Sequence, residues 1–188
     1  MASKFIFTIV VATVLLSSCN HKKEDKYLKI FDSLHIVLIQ TDSIYKTIDW
    51  KKAIEVEATV KTNVASIESS KKKLKNEERE LLETYKKLLL FGGNEIVQVQ
   101  GSAFDQQQKK KFLRKQIDYS FSQLENLKAD VESNSLKDDK IKAYINTERN
   151  AIVELYKFTT QKSVIYNKCF SQLDIMNPNI EELLSKTK

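Results

Sequence analysis

Glycine and proline are scarce in this chain of 188 residues, which has three glycines and one proline. An all-β domain needs frequent tight turns, and such turns depend largely on these two residue types. The composition therefore argues against an all-β domain. Histidine and cysteine are also rare: the chain has only His21, His35, Cys19 and Cys169.

This scarcity restricts the chemistry that the chain can perform. Metal sites in helical bundles use Glu-x-x-His pairs and zinc sites use closely spaced cysteines, and the sequence has neither. It also lacks the glycine-rich loops that hold phosphates. Three acidic pairs stand at predicted helix starts, where the helix dipole explains them: Glu77-Glu78, Asp138-Asp139 and Glu181-Glu182. The sequence thus predicts no catalytic residue, no metal ligand, no cofactor and no enzyme.

Two single side chains have structural interpretations. His35 lies beside Leu34 and Leu38 in a helical pattern, which predicts a half-buried, hydrogen-bonded histidine. Cys169 falls close to the apolar stripe of the last long predicted helix, which favours a small core residue. An intermolecular disulfide is the alternative for Cys169.

Arginine is scarce among the basic residues. Lysine and arginine total 31 against 25 acidic residues, a net charge of +6, but only Arg79, Arg114 and Arg149 are arginine. Nucleic-acid recognition relies on arginine for bidentate contacts, so we expect no nucleic-acid partner. The lysine runs 71–73 and 109–111 are interpreted as solvated surface, with contact to anionic lipid headgroups as the alternative.

The dominant pattern that is present is an apolar spacing of three and four residues, which is typical of packed α-helices. It predicts a first helix over 24–70, with a kink or break near 47–50 as the alternative because Asp49 can cap a new helix. A second helix, capped by Asn76, is predicted to run to Gly92-Gly93, although continuity with the first stays open because no strong breaker separates them.

Two further long helices follow. The third is predicted to begin at Ser102 or Asp105, after an irregular stretch at 94–103 that is expected to cover the end of the bundle. A turn is predicted at 133–139, and the fourth helix, capped by Ser135 or Asp138, runs to about Met176, where Pro178 stops it before a short closing helix. Several aromatic residues recur along the third and fourth helices, and core packing is favoured for them over lining a ligand groove: Tyr119, Phe121, Tyr144, Tyr156, Phe158, Tyr166 and Phe170. Trp50, beside the possible kink, is the aromatic whose exposure matters most.

These elements predict an all-α fold. We expect 27–188 to form a single domain, an elongated antiparallel helical bundle. Its form is either a three-layer rod with an interrupted middle helix or a four-helix bundle.

The start of the chain has a different pattern. Lys4 precedes twelve largely apolar residues at 5–16, which are followed by Ser17-Ser18-Cys19. A helix of that length reaches roughly 18 Å, which is too short for the ~30 Å hydrocarbon core of a bilayer. A positive start, a short apolar centre and small residues at its end indicate a secretory signal peptide.

The segment Leu16-Ser17-Ser18-Cys19 resembles a lipobox, the recognition site of bacterial lipoprotein precursors. The resemblance implies that a peptidase recognising Leu16, Ser17 and Ser18 removes residues 1–18, and that a covalent lipid is attached to Cys19. An ordinary signal peptide with an incidental cysteine is the alternative. The lipoprotein interpretation implies membrane attachment through acyl chains and makes 19–26 a tether.

Residues 20–27 resemble charged export signals of some surface lipoproteins, with a plain spacer as the alternative. Asn20 is not the aspartate that favours inner-membrane retention, so the outer membrane is favoured, on its periplasmic side or at the surface.

Together these patterns predict a lipid-anchored, non-enzymatic helical scaffold or interaction lipoprotein of the bacterial envelope, with an envelope protein as partner. The alternative is a carrier or chaperone that holds an apolar ligand or an exported segment in a groove of the bundle. A large apolar cavity distinguishes the second hypothesis from the first.

Overall fold

The computed structural model describes residues 26–70, 73–88 and 105–187, and nearly all of them are α-helical. No strand occurs in those three ranges. The helices are α1 (26–47), α2 (Trp50–Ser69), α3 (Asn76–Lys87), α4 (Gln106–Glu132) and α5 (Asp138–Thr187). The prediction of an all-α helical bundle is confirmed.

The chain divides into two compact units. The described part of unit 1 comprises 26–40 and 117–156, and that of unit 2 comprises 41–70, 73–88, 105–116 and 157–187. Each unit has its own buried residues and is described by itself below.

Unit 1 packs three helical segments around one apolar cluster. The predicted stripes of all three segments meet there, since the buried members are Tyr27, Phe31, Leu34, Leu38, Leu124, Leu127, Val131, Ile141, Ile145 and Ile152. Burial of such side chains contributes roughly 1.5–3 kcal/mol each relative to exposure. Periodic apolar spacing therefore accounts directly for this core.

Unit 2 combines small and large side chains. The buried face of α2 is lined by small residues, namely Ala53, Val56, Val60 and Val64, between Trp50 and Ile67. Besides Trp50, the larger buried side chains in this unit come from the other segments and include Tyr85, Leu113, Tyr166 and Phe170. Alternation of small and large residues lets helices interlock at high packing density.

A break separates α1 from α2, so the prediction of one helix over 24–70 was wrong and the alternative break is confirmed. The side chain of Asp49 caps α2 by accepting a hydrogen bond from the Lys52 backbone N–H at 2.9 Å. The indole Nε1 of Trp50 donates to the carbonyl oxygen of Tyr45 at 3.2 Å. In a continuous helix that oxygen would accept from residue 49. The cap and the indole therefore provide alternative partners for the backbone groups that the break releases.

The start of α4 is fixed by a reciprocal cap. The Gln108 backbone N–H donates to Asp105 Oδ1 at 2.7 Å, and the Asp105 N–H donates to Gln108 Oε1 at 3.1 Å. This is a capping box with glutamine at the third helical position. Of the two predicted starts, Asp105 is confirmed as the cap, and Ser102 lies outside the described residues.

A tight turn joins α4 to α5. Asn134 has a positive φ of 52°, and the Ser135 N–H donates to the Asp130 carbonyl oxygen at 3.1 Å. The Asn134 N–H donates to the Val131 oxygen at 3.1 Å, which completes a Schellman motif. Asparagine tolerates this left-handed conformation better than most residues. The turn predicted within 133–139 is confirmed, whereas Asp138, one of the two predicted caps of the next helix, is instead its first helical residue.

Two further helix ends differ from the predictions. Helix α2 ends at Ser69 and α3 begins at Asn76, so the two are separate, and Asn76 is the first helical residue instead of the cap. Helix α5 continues through Pro178 to Thr187, so the predicted stop at Pro178 was wrong. Proline removes one helical hydrogen bond, but Leu173 on one side of it and Ile180 on the other are both buried. Packing of this continuous stripe outweighs the local cost of the proline.

Candidate functional site

The four residues that the sequence predicts as a site, Leu16, Ser17, Ser18 and Cys19, lie outside the described residues. The same holds for the predicted tether, for His21 and for the predicted cover at 94–103. Within the described ranges, none of the helices combines the length and apolar character that crossing a bilayer requires.

Unit 1 has a surface groove between α1 and α4. Phe31 and Leu124 form its apolar floor, while Asp32, Glu125 and Lys128 border it; its volume is about 170 Å³. Lys128 Nζ lies 3.8 Å from Asp32 Oδ1, and both side chains are well exposed. Solvated pairs of this kind contribute little free energy, about 0–1 kcal/mol. The groove is thus shallow, and charged side chains surround a small apolar floor.

His35 lines the same groove. It is exposed, so the prediction of a half-buried histidine was wrong. Its ring stands edge-on to Phe121, with the ring centres 5.6 Å apart and the planes at 80°. His35 is thus located one helical residue outside the buried stripe formed by Leu34 and Leu38.

Unit 2 has a larger cleft between the start of α3 and the end of α5. Its volume is about 350 Å³, and the lining residues are Glu77, Glu78, Leu81, Asn179, Glu182, Leu183 and Lys186. Lys186 donates to Glu182, and this hydrogen bond lowers the pKa of the Glu182 carboxyl. The cleft therefore carries an acidic rim that is partly neutralised by one lysine.

The acidic pairs of the sequence have two different environments. Glu77 and Glu78 lie in the first turn of α3, and Asp138 and Asp139 lie in the first turn of α5, as predicted. The pair 181–182 was predicted to open a closing helix, which was wrong because both residues lie inside α5.

An aromatic cluster occupies the interior of unit 2. Trp50 is 6% exposed, and its ring centre lies 5.4 Å from those of both Tyr45 and Tyr166. Phe170 stacks on Tyr166 at 6.2 Å. Trp50 therefore has a core role instead of presenting an exposed ring to a ligand.

The remaining aromatics differ in exposure. Tyr119 and Tyr144 are exposed, whereas Phe121, Tyr156 and Phe158 are partly buried. Core packing is thus confirmed for Tyr166 and Phe170, and it does not describe the two exposed tyrosines.

A polar link joins three helices inside unit 2. Glu57 Oε2, on α2, accepts from the Gln106 backbone N–H at the start of α4 at 2.7 Å. The hydroxyl of Tyr166, on α5, donates to the Gln106 side-chain oxygen. Burial, followed by the nearby Glu57 carboxylate, raises the pKa of Tyr166 well above its usual value. The tyrosine is therefore a neutral donor at physiological pH.

An ion pair in unit 2 joins residues distant in the sequence. Asp42 accepts from Arg114, on α4, and lies 2.6 Å from Lys46 Nζ. Burial acts to raise the pKa of the Asp42 carboxyl, but the hydrogen bonds from Lys46 and Arg114 outweigh it and hold that pKa below its usual value. No local pattern in the sequence indicates that Arg114 and Asp42 meet.

The environment of Cys169 differs in part from the predicted core position. Cys169 is partly buried rather than fully in the core, and burial raises the pKa of its thiol to about 11. Thiolate is the reactive form of cysteine, so this thiol is a weak nucleophile near neutral pH.

Lys110 and Lys111 are exposed as predicted, whereas Lys109 is partly buried and burial lowers its pKa.

No cluster of three or more histidine, cysteine or acidic side chains suited to a metal occurs among 26–70, 73–88 and 105–187. Comparisons of the chain with protein-family models, with curated proteins and with solved structures give no match.

Proposed function

We propose that this chain is a lipid-anchored, non-enzymatic helical scaffold or interaction lipoprotein of the bacterial envelope. The observation that carries the proposal is the lipobox-like Leu16-Ser17-Ser18-Cys19 at the end of an apolar run too short to span a bilayer. One acyl chain gives only marginal membrane affinity, whereas two or more give stable attachment. The anchor therefore resides on Cys19, and the outer membrane is the favoured location.

Separate substitution of the two cysteines, Cys19 and Cys169, tests the lipid anchor. In Gram-negative cells fed an alkyne-tagged palmitate, the wild-type chain and a Cys169→Ala variant are expected to take up label and to sediment with membranes. A Cys19→Ala variant is expected to lose both properties, because it lacks the sulfur that carries the lipid. Equal labelling of all three proteins would contradict the proposal.

Exposed apolar side chains on α5 support a binding role. Val164 is 62% exposed and Ile175 is 73% exposed. They are 11 residues apart, which is three turns and about 20° of rotation, so both lie on one face of the helix. We refer to Val164 and Ile175 as the α5 apolar face. Single exposed apolar side chains are common on protein surfaces, so it is their shared face that makes these two residues the candidates for a partner contact.

Two paired substitutions test this face. The lipidated protein is cross-linked in native envelopes and recovered partners are compared between Val164→Glu/Ile175→Glu and Gln161→Glu/Gln172→Glu. The control pair adds the same two charges at the same spacing on exposed positions. We expect the first pair to lose a reproducible partner and the second to retain it. Equal recovery by both variants would remove the α5 apolar face from the proposal.

The described clefts favour the scaffold over the carrier. A site for an apolar ligand encloses most of the ligand in a mainly apolar pocket. The groove of about 170 Å³ and the cleft of about 350 Å³ are instead bordered by charged side chains. The groove has an apolar floor but is too small to enclose a lipid or an exported segment, and charged side chains make up most of the lining of the cleft.

A further inference from the structure

We infer that unit 1 presents one particular end, formed by the start of α1 and the α4–α5 turn, to the bilayer that carries the anchor. This end comprises 26–29 and 130–142, which includes the last turn of α4, and is called the proximal end. The inference rests on the proposed lipidation of Cys19 and adds which surface of the protein meets the lipid headgroups.

The first step is the length of chain between anchor and helix. Cys19 and Lys26 are seven residues apart, and even a fully extended chain spans at most about 3.6 Å per residue. The start of α1 is therefore held within about 25 Å of the lipidated sulfur. This bound follows from covalent geometry alone and applies to any conformation of the intervening residues.

The second step is that the start of α1 contacts the α4–α5 turn. The Tyr27 hydroxyl donates to Asp138 Oδ1 at 2.6 Å, which joins residues 111 apart in the sequence. Tyr27 is buried, together with Val131 and Ile141 from the helices on either side of the turn. Leu136 of the turn packs against the same cluster. The short tether thus holds the α4–α5 turn near the bilayer together with α1.

The third step is charge. Lysines and acids alternate at the proximal end, so their charges nearly cancel: Lys26, Lys29, Lys137, Lys140 and Lys142 against Asp130, Glu132, Asp138 and Asp139. Asp138 is paired with Lys142 at 2.7 Å. Electrostatic attraction to anionic lipid is screened by salt and needs a net basic surface. The short tether, rather than electrostatic attraction, therefore keeps the proximal end close to the bilayer. The surface that it meets is the lipid headgroup layer, whether or not the headgroups are anionic.

The test compares two labelled positions on α5 and its preceding turn. Lys137→Cys and Asn150→Cys are made in a Cys169→Ala background, and each lipidated full chain is labelled with a fluorophore and placed in phosphatidylcholine vesicles that carry a headgroup quencher. Both positions are exposed in unit 1. They are 13 residues apart, roughly 20 Å along the helix, so we expect quenching at position 137 to be about twofold stronger. A Lys140→Cys variant provides a second proximal label, and circular dichroism confirms that each variant is helical.

The outcomes separate this inference from the proposal on which it rests. Stronger quenching at 137 and 140 that persists at high salt supports the proximal end. Equal or stronger quenching at 150 in protein whose mass shows the lipid overturns the inference and leaves the anchor intact. Protein that proves unlipidated overturns the proposed function, and the inference falls with it. Quenching that requires anionic lipid and disappears with salt overturns the tether argument.

Discussion

The two units of this protein are stabilised by different interactions. The core of unit 1 is a cluster of ten buried apolar side chains from three helical segments. Unit 2 has an aromatic cluster around Trp50 and a polar link from Glu57 through Gln106 to Tyr166. Among the described residues, its buried polar or charged side chains are Thr41, Gln106, Thr159 and Lys162, against Ser120 in unit 1.

The two kinds of interior respond differently to substitution. Apolar burial is non-directional, so a core such as that of unit 1 tolerates changes that keep volume and apolarity. Buried hydrogen bonds depend on direction and distance, and an unmade one is expensive. We therefore expect volume to matter most in unit 1 and hydrogen-bond partners to matter more in unit 2.

The largest expected effect is the loss of a large core side chain in unit 1. Phe31 is 1% exposed, so Phe31→Ala is expected to lower the free energy of unfolding by about 3–5 kcal/mol. Ile36→Ala, on the same helix but 56% exposed, is expected to change it by less than about 0.5 kcal/mol. Urea unfolding followed by circular dichroism measures both. Similar losses in the two variants would contradict the assigned core.

The next effect is specific to the polar link of unit 2. Tyr166→Phe keeps the ring and removes the hydroxyl that donates to Gln106, so it is expected to cost about 1–2 kcal/mol. Tyr119→Phe removes an exposed hydroxyl and serves as the control. A double-mutant cycle with Gln106→Leu is expected to show non-additivity, as directly contacting residues usually do. Strict additivity would show that the link makes no joint contribution.

Helix α5 offers a stabilising substitution. Pro178 is exposed and inside the helix, so Pro178→Ala restores an N–H for the Asp174 carbonyl without removing buried surface. We expect a gain of about 1 kcal/mol, because the greater freedom of alanine in the unfolded chain offsets part of the helical benefit. Gln172→Ala, also exposed, is the control in the same urea experiment. Destabilisation by Pro178→Ala would indicate that the helix ends at the proline.

The smallest effect concerns pH in unit 2. Because the folded-state pKa of Asp42 lies below its ordinary value of 3.8, its carboxylate stabilises the fold above that pH. The contribution is lost as the pH falls through the lowered folded-state value. Asp42→Asn is therefore expected to cost about 1 kcal/mol near pH 7 and less in strong acid. Thermal unfolding at both pH values measures this, with the exposed Asp32→Asn as the control. A difference that stays constant with pH would exclude the ion pair as its cause.

Local sequence patterns predicted the helices and most of the core. Apolar spacing identified the stripes that meet in unit 1, and Asp105 and the turn within 133–139 followed from known turn and capping chemistry. These features depend on residues close together in the chain, which is why they are accessible to sequence analysis.

The errors arose where a distant or competing contact determined the outcome. The break after α1 combines the Asp49 cap, which the sequence indicates, with a contact from the Trp50 indole to the Tyr45 carbonyl, which it does not. Helix α5 passes Pro178 because buried residues flank the proline on both sides. The Asp42–Arg114 pair and the link through Gln106 join residues 72 and 60 positions apart, respectively. No local spacing indicates such pairs, since they exist only once the helices have packed.

The most direct measurement of the central claim is the intact mass of the protein purified from its native membrane. The lipid-anchored account predicts a mature chain that begins at Cys19 and carries the added mass of a diacylglyceryl group on its sulfur, with or without a further acyl chain on its new amino terminus. A chain that retains Met1, or one that begins near residue 19 with an unmodified thiol, would contradict the account.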